Sequence, residues 1–200
     1  MDKVFVIGLS KTGTTSLHAA LERLGYRSIH NPEAMLRVDG EALAVVTDFA
    51  RSYDALSDLP IAAFYRELDR AFPGSRFILT TRDEDSWVAS CRNHFDPTVF
   101  RPNALVRKLV ERVYGTPVFD DAKFREALRR HDREARAYFA SRPRDFCEID
   151  IAAPEKWAPL TSFLGIAPPD EPYPHENRAS RVPAPLKKVV RWARKGLRGT

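Results

Sequence analysis

The residues best suited to chemistry stand near the start of the chain, in the run Gly8-Leu9-Ser10-Lys11-Thr12-Gly13-Thr14-Thr15-Ser16. Glycines let a backbone turn tightly and aim successive amides at an anion, and a helix that follows adds unsatisfied amides and the positive end of its dipole. Thr14, Thr15 and Ser16 contribute hydroxyl donors and Lys11 a mobile positive charge. Such a loop suits a phosphate or a sulfate. In an ATPase loop the lysine directly follows the second glycine, whereas Lys11 comes two residues before Gly13. Nor does an apolar strand end in a magnesium-binding aspartate, because the run Arg76 to Thr81 is followed by Arg82 and only then by Asp83. The bland alternative is a small-residue turn that caps a helix.

A second pair is Arg82 and Ser90, eight residues apart. An arginine just beyond a strand end and a serine two turns along the next helix can converge on one phosphate at the carboxyl edge of a sheet. Taken singly, Arg82 reads as a surface charge and Ser90 as an ordinary helix residue. Asp58, in Asp58-Leu59-Pro60, stands where a short strand meets a helix. It is either a general base for an acceptor hydroxyl or an N-terminal cap. Asp48 and His94 are weaker substitutes for that base, and His175 is assigned no chemistry.

At these residues the chain resembles the P-loop sulfotransferase family. Its members bind the 5'-phosphosulfate of 3'-phosphoadenosine 5'-phosphosulfate (PAPS) through a Lys-Ser/Thr-Gly-Thr-Thr loop after the first strand, and Lys11 to Thr15 match position by position. They hold the 3'-phosphate with an arginine at a strand end and a serine eight residues on, the spacing of Arg82 and Ser90. The resemblance implies donor contacts at Lys11, Thr12, Gly13, Thr14, Thr15, Ser16, Arg82 and Ser90. It implies catalysis by Lys11, on the bridging or leaving oxygen, and by Asp58, whose Asp-Leu-Pro setting is similar to the His-Leu-Pro segment that carries the catalytic histidine of cytosolic members. No metal is required. The expected acceptor is a hydroxyl or amine of a small molecule or glycan, and nucleic acid is not expected as a partner. Ser16 departs from the family, since many cytosolic members carry there a tryptophan that stacks on adenine; Trp87 reads equally well as an inward core residue. Two other readings stay open: a nucleotide kinase with an atypical loop, and a nucleotide-binding protein without catalysis.

The elements that must position these residues alternate. Val4 to Ile7 reads as a strand buried on both faces, and Leu17, Ala20, Leu21 and Leu24 recur at helical spacing up to Gly25. Further strands are expected at Arg27 to His30, Tyr53 to Ser57, Arg76 to Thr81 and Phe146 to Ile151. Helices are expected from Ile61 to Phe72, Asp83 to Asn93, Phe124 to Phe139 and Trp157 to Leu164. Asp96 to Asp120, with prolines at 97, 102 and 117, reads as an irregular insertion near the site. The pattern predicts an α/β, P-loop-like, three-layer single domain with a mostly parallel central sheet.

That domain is expected to span residues 1–167, followed by a proline-rich linker over 168–185 and a basic tail over 186–200. The tail's Arg194-Lys195-Gly196 echoes a family segment on the 3'-phosphate, and it reads more simply as a solvated basic helix able to touch anionic surfaces. A net charge of +5 over 200 residues suits an anionic ligand and is too mild to demand nucleic acid. Cys91 and Cys147 have neither disulfide nor zinc spacing. With no signal segment or membrane span in view, the expected location is the cytoplasm.

Overall fold

The computed structural model describes residues 2–175. The basic tail, Arg194-Lys195-Gly196 and the second half of the proline-rich linker lie outside the described residues. Seven strands and seven α-helices follow one another in the described chain: β1 (Val4–Val6), α1 (Thr14–Arg23), β2 (Ser28–His30), β3 (Leu36–Asp39), β4 (Ala42–Val45), α2 (Thr47–Arg51), β5 (Ala55–Ser57), α3 (Tyr65–Ala71), β6 (Arg76–Thr81), α4 (Glu84–His94), α5 (Ala104–Tyr114), α6 (Asp121–Phe139), β7 (Phe146–Asp150) and α7 (Trp157–Leu164). Five strands form the central sheet in the order β2-β5-β1-β6-β7, every pairing parallel. The architecture is therefore the expected α/β one.

Two cores sandwich this sheet because β1 alternates its side chains. Val4 and Val6 face α1 and α7, joining Leu17, Leu21, Leu160 and Leu164. Phe5 and Ile7 face the other way, joining Leu68, Trp87, Phe124 and Phe139 from the second helical layer. From β1 the chain runs outward on one side to β2, returns through β5, and then crosses to β6 on the other side of β1. The carboxyl edge of β1 is the point where strand order reverses, which in open α/β sheets is the place for a ligand crevice.

One expectation needs correction, and one element had not been anticipated. The insertion from Asp96 to Asp120 is not wholly irregular: it contains α5, whose first turn is capped by Asn103 accepting from the Val106 amide at 3.0 Å and whose end is marked by left-handed Gly115. The flanking prolines masked a helix that carries its own start and stop signals. Residues 36–45 form an antiparallel hairpin, β3 with β4, apart from the main sheet. Asp39 pairs with Ala42, so the two-residue turn is Gly40-Glu41, with Gly40 supplying the positive φ of 60° at its first position.

A candidate active site at the carboxyl edge of the sheet

The loop after β1 is built around backbone that few residues tolerate. Lys11 and Gly13 both have left-handed φ, 75° and 98°, and for a lysine that conformation costs energy unless neighbours hold it. Three side chains supply the hold. Trp87 Nε1 donates to the Ser10 carbonyl oxygen at 2.9 Å, Arg82 Nη1 to that of Lys11 at 3.1 Å, and His131 Nε2 to that of Ile7 at 2.6 Å. Close packing enforces glycine at two positions. A Cβ on Gly8 would stand 1.9 Å from Thr80 Oγ1, and one on Gly13 would stand 2.5 Å from Ile151 Cγ2.

Helix α1 begins directly after this turn, with Gly13 as an N-cap that offers no side chain and no acidic residue in the first turn. Its opening amides and dipole therefore keep their attraction for an anion. Thr15 and Ser16 of that first turn line a cavity of about 380 Å3 together with Lys11, Gly13 and Thr14, a volume in the range of small-molecule sites.

The same cavity takes residues from the ends of the other four strands of the main sheet: His30 at the end of β2, Asp58 after β5, Thr80 and Arg82 at the end of β6, and Ile149 and Ile151 at the end of β7. Ser90 of α4 completes the expected pair with Arg82. Eight of the nine residues singled out in the sequence for donor binding or catalysis line this cavity. Thr12 is the exception. It is fully buried, its hydroxyl donates to the Leu9 carbonyl at 2.7 Å and sits 2.6 Å from Thr80 Oγ1, and its amide is spent on Leu9 as well. Thr12 braces the loop from beneath and does not face a ligand.

Asp58 is not a helix cap. Its carboxylate turns toward the loop, where Oδ1 accepts from Ser10 Oγ at 2.5 Å and from the Leu59 amide at 2.8 Å, and Oδ2 accepts from Thr14 Oγ1 at 3.0 Å. Oδ2 also lies 3.3 Å from His30 Nε2. Of the weaker substitutes, Asp48 lies on the surface paired with Arg51 at 3.1 Å, whereas His94 does line the cavity. Burial holds the His94 imidazole below its ordinary value of 6.5, with the Lys11 charge acting in the same sense.

Several site residues escaped the sequence reading. His30 had no motif to mark it. Ser86 holds the Arg82 Nε at 2.8 Å and orients the guanidinium from the first turn of α4. Lys156, 8% exposed, and Tyr173 form a wall on which the lysine ammonium stands 5.7 Å from the ring centroid. His175, given no role above, lines the cavity too. Tyr173 and His175 reach it because the start of the proline-rich segment folds back. Trp157 Nε1 donates to the Glu171 carbonyl at 2.8 Å, Arg23 Nη1 to that of Pro172 at 2.8 Å, and the Tyr173 ring packs edge-on against Trp157. Trp87, by contrast, is 0% exposed behind the loop and offers no face to a base.

An anion loop at a strand-order reversal, faced by an arginine, a lysine and a carboxylate, is an arrangement suited to an anionic ligand at the carboxyl edge of an α/β sheet. A family model described as a sulfotransferase domain matches residues 3–182, and the chain belongs to that family. The chain is also 25% identical over 207 residues to a protein of Aspergillus versicolor described as Ava biosynthesis cluster protein M, covering 86% of this chain and 80% of that one. The crystal structure of a sulfotransferase from Alicyclobacillus acidocaldarius shares the fold, with a TM-score of 0.54 at 15% identity over 98% of this chain and 92% of that one. Among the described residues no helix is long and apolar enough to cross a membrane.

Proposed function

We propose that this sulfotransferase-family chain moves a sulfonate group from PAPS to a hydroxyl or amine of a small-molecule or glycan acceptor. The observation that carries the reading is the convergence of Lys11, Thr14 and Thr15 with Arg82 and Ser90 on one cavity. Two cations and several hydroxyls lining one cavity suit a ligand with more than one anionic group, as PAPS has in its 5'-phosphosulfate and 3'-phosphate.

PAPS supplies a sulfonate joined to a phosphate leaving group, so the protein's task is positioning and charge stabilisation. In this reading Lys11, the α1 amides, Thr14 and Thr15 hold the 5' end, with Lys11 at the oxygen that gains charge. Arg82, oriented by Ser86, and Ser90 hold the 3'-phosphate. The Tyr173 ring, not Trp87 and not Ser16, is the aromatic surface in the cavity wall for the base. Asp58 provides negative charge on the acceptor side. The free cysteines Cys91 and Cys147 support a reducing, cytoplasmic setting.

Calorimetric titration with the product nucleotide PAP, against ATP with magnesium, tests the donor assignment on wild type and Lys11→Ala. Selective PAP binding, weakened by the substitution, is expected. Preference for magnesium-ATP would replace this reading with the kinase one, and binding of neither nucleotide would end both.

A further inference from the structure

Sulfonate transfer needs an acceptor held beside the donor and a group to take its proton, and the groups closest to the anion loop are already engaged. A carboxylate has about four lone-pair sites, and those of Asp58 are directed at Ser10, Leu59, Thr14 and His30. The contact with His30 calls for an N–H on Nε2, since a carboxylate only accepts, and the other ring nitrogen lies 3.1 Å from Ser57 Oγ. Asp58 and His30 thus hold the loop and β2 together and offer an arriving molecule no free lone pair.

His94 is placed otherwise. It is the last residue of α4 and is exposed, with the rings of Phe95 and Phe100 beside its own at centroid distances of 4.7 and 5.9 Å. Among the described residues no hydrogen bond or ion pair engages its ring nitrogens. Partial burial and the Lys11 charge keep it below its ordinary value of 6.5, against the pull of Asp58, so at pH 7 the ring is neutral and carries one free lone pair. Its charged surroundings are Lys11, Arg82 and Asp58 on the donor side and Glu33 and Arg101 on the other. Among the described residues His94 alone lines both the donor cavity and a second cavity of about 390 Å3.

That second cavity lies between α4, the loop that follows it and the start of α5. Its two charges are turned to the protein. The Glu33 carboxylate accepts from the side-chain amides of Asn31 at 3.2 Å and Asn103 at 3.4 Å, and the Arg101 guanidinium donates to the carbonyl oxygens of Pro97 and Phe100. What remains for a ligand is an apolar wall of Val99, Phe100, Pro102 and Val106. Val99 is 66% exposed, the highest value of any large apolar side chain among the described residues, and a ligand seated there would take that surface out of water.

We infer, on the sulfonate-transfer reading, that this second cavity is the acceptor subsite, that it takes a small neutral hydroxyl compound with an apolar body, and that His94 at the junction accepts the hydroxyl proton. A glycan would find too few free polar partners on this wall. An alkylamine, protonated at pH 7, would bring a third cation beside Lys11 and Arg82 and no lone pair. In the step, a lone pair of the acceptor oxygen forms the new bond to sulfur while the bond between sulfur and the nucleotide's phosphate oxygen breaks. The electron pair of that bond leaves with the phosphate, and the hydroxyl proton passes to the free nitrogen of His94; nothing is oxidised or reduced. Because His94 is exposed, the proton can then pass to solvent.

The test uses the full chain with 35S-labelled PAPS and four probe acceptors: 2-naphthol, cyclohexanol, glucose and phenethylamine. PAP affinity is measured by calorimetry, and binding of 2-naphthol to the PAP complex by its fluorescence. The first two acceptors are expected to exceed the other two in kcat/KM by about tenfold or more. Val99→Asp should raise the KM for 2-naphthol by about tenfold with kcat and PAP affinity near wild type, and Val118→Asp, at a residue 38% exposed and outside the cavity, should leave KM unchanged. His94→Gln should bind PAP like wild type, lose kcat by about 100-fold or more and lose the acidic limb of the rate profile. Preference for glucose or phenethylamine, an unchanged KM in Val99→Asp, or retention of the acidic limb in His94→Gln overturns the inference and leaves the donor reading intact. Failure of wild type to bind PAP overturns both. Should no probe be turned over, binding decides: 2-naphthol that does not bind the PAP complex, or binds Val99→Asp as well as wild type, refutes the subsite.

Discussion

Arg82 and Lys11 are 71 residues apart in the chain, yet the Arg82 guanidinium donates from Nη1 to the Lys11 carbonyl oxygen at 3.1 Å. Its Nε is simultaneously held by Ser86 Oγ at 2.8 Å. One planar fork therefore fastens the left-handed loop residue to α4. Arg82→Ala is expected to weaken PAP binding by about tenfold or more, the scale of a lost charge-assisted pair. Arg82→Lys should not restore it, because a single ammonium cannot reproduce the two fixed donations. Calorimetry on both variants checks this, and full rescue by lysine would show that only charge matters.

Gly8 tests the packing under the same loop. A methyl group there meets the Thr80 hydroxyl at 1.9 Å and the Thr80 backbone oxygen at 2.7 Å, and backbone cannot swing away. Gly8→Ala is expected to lower unfolding free energy by about 3 kcal/mol, the upper range of overpacking costs. Urea denaturation monitored by tryptophan fluorescence measures the loss, and a midpoint equal to wild type would contradict the geometry.

Asp132 on α6 predicts a pH dependence of stability. Burial pushes its carboxyl up from 3.8 to about 6, with Glu148 adding to the rise and Arg136 opposing it. A raised acid binds its proton more tightly in the folded chain, so its cost is absent below about pH 4, grows between 4 and 6, and is complete above 6. With 18% of the side chain exposed, the full cost is about 1–3 kcal/mol. Asp132→Asn should therefore stabilise the protein by about that amount at pH 7.5 and by less at pH 5. Equal gains at the two pH values would remove titration as the cause.

The two thiols should behave differently toward a disulfide reagent such as DTNB. Cys91 is 0% exposed and burial drives its thiol far above the ordinary value, whereas Cys147 is half-buried and pushed up to about 11. Cys147 is expected to react slowly in the native state, and Cys91 only on unfolding, since the thiolate is the reactive form. Release of two equivalents without denaturant would show that the layer around α4 opens readily.

How much of this was legible depended on whether the partners of a residue are its neighbours in sequence. The anion loop, β1, α1 and the Arg82–Ser90 spacing are local patterns and appear where the periodicity places them. Helix α5 was hidden by flanking prolines although Asn103 and Gly115 mark its ends. Thr12 was indistinguishable from its neighbours because a loop's sequence does not say which hydroxyl points down. Ser86 and Lys156 carry no pattern at all, and their role follows only from what stands beside them.

By itself the sequence determined a parallel α/β sheet and an anion loop between its first strand and first helix, because apolar periodicity and glycine placement are properties of short stretches of chain. Tertiary structure alone decided which groups meet in the site. His30 and Asp58 are brought together by the parallel pairing of β2 with β5, in which His30 is the register partner of Ser57. Strand register is set by the cores on both faces of the sheet, and a one-residue slip would turn the side chain of His30 to the opposite face. The contact between His30 and Asp58 therefore exists only once those distant residues have packed.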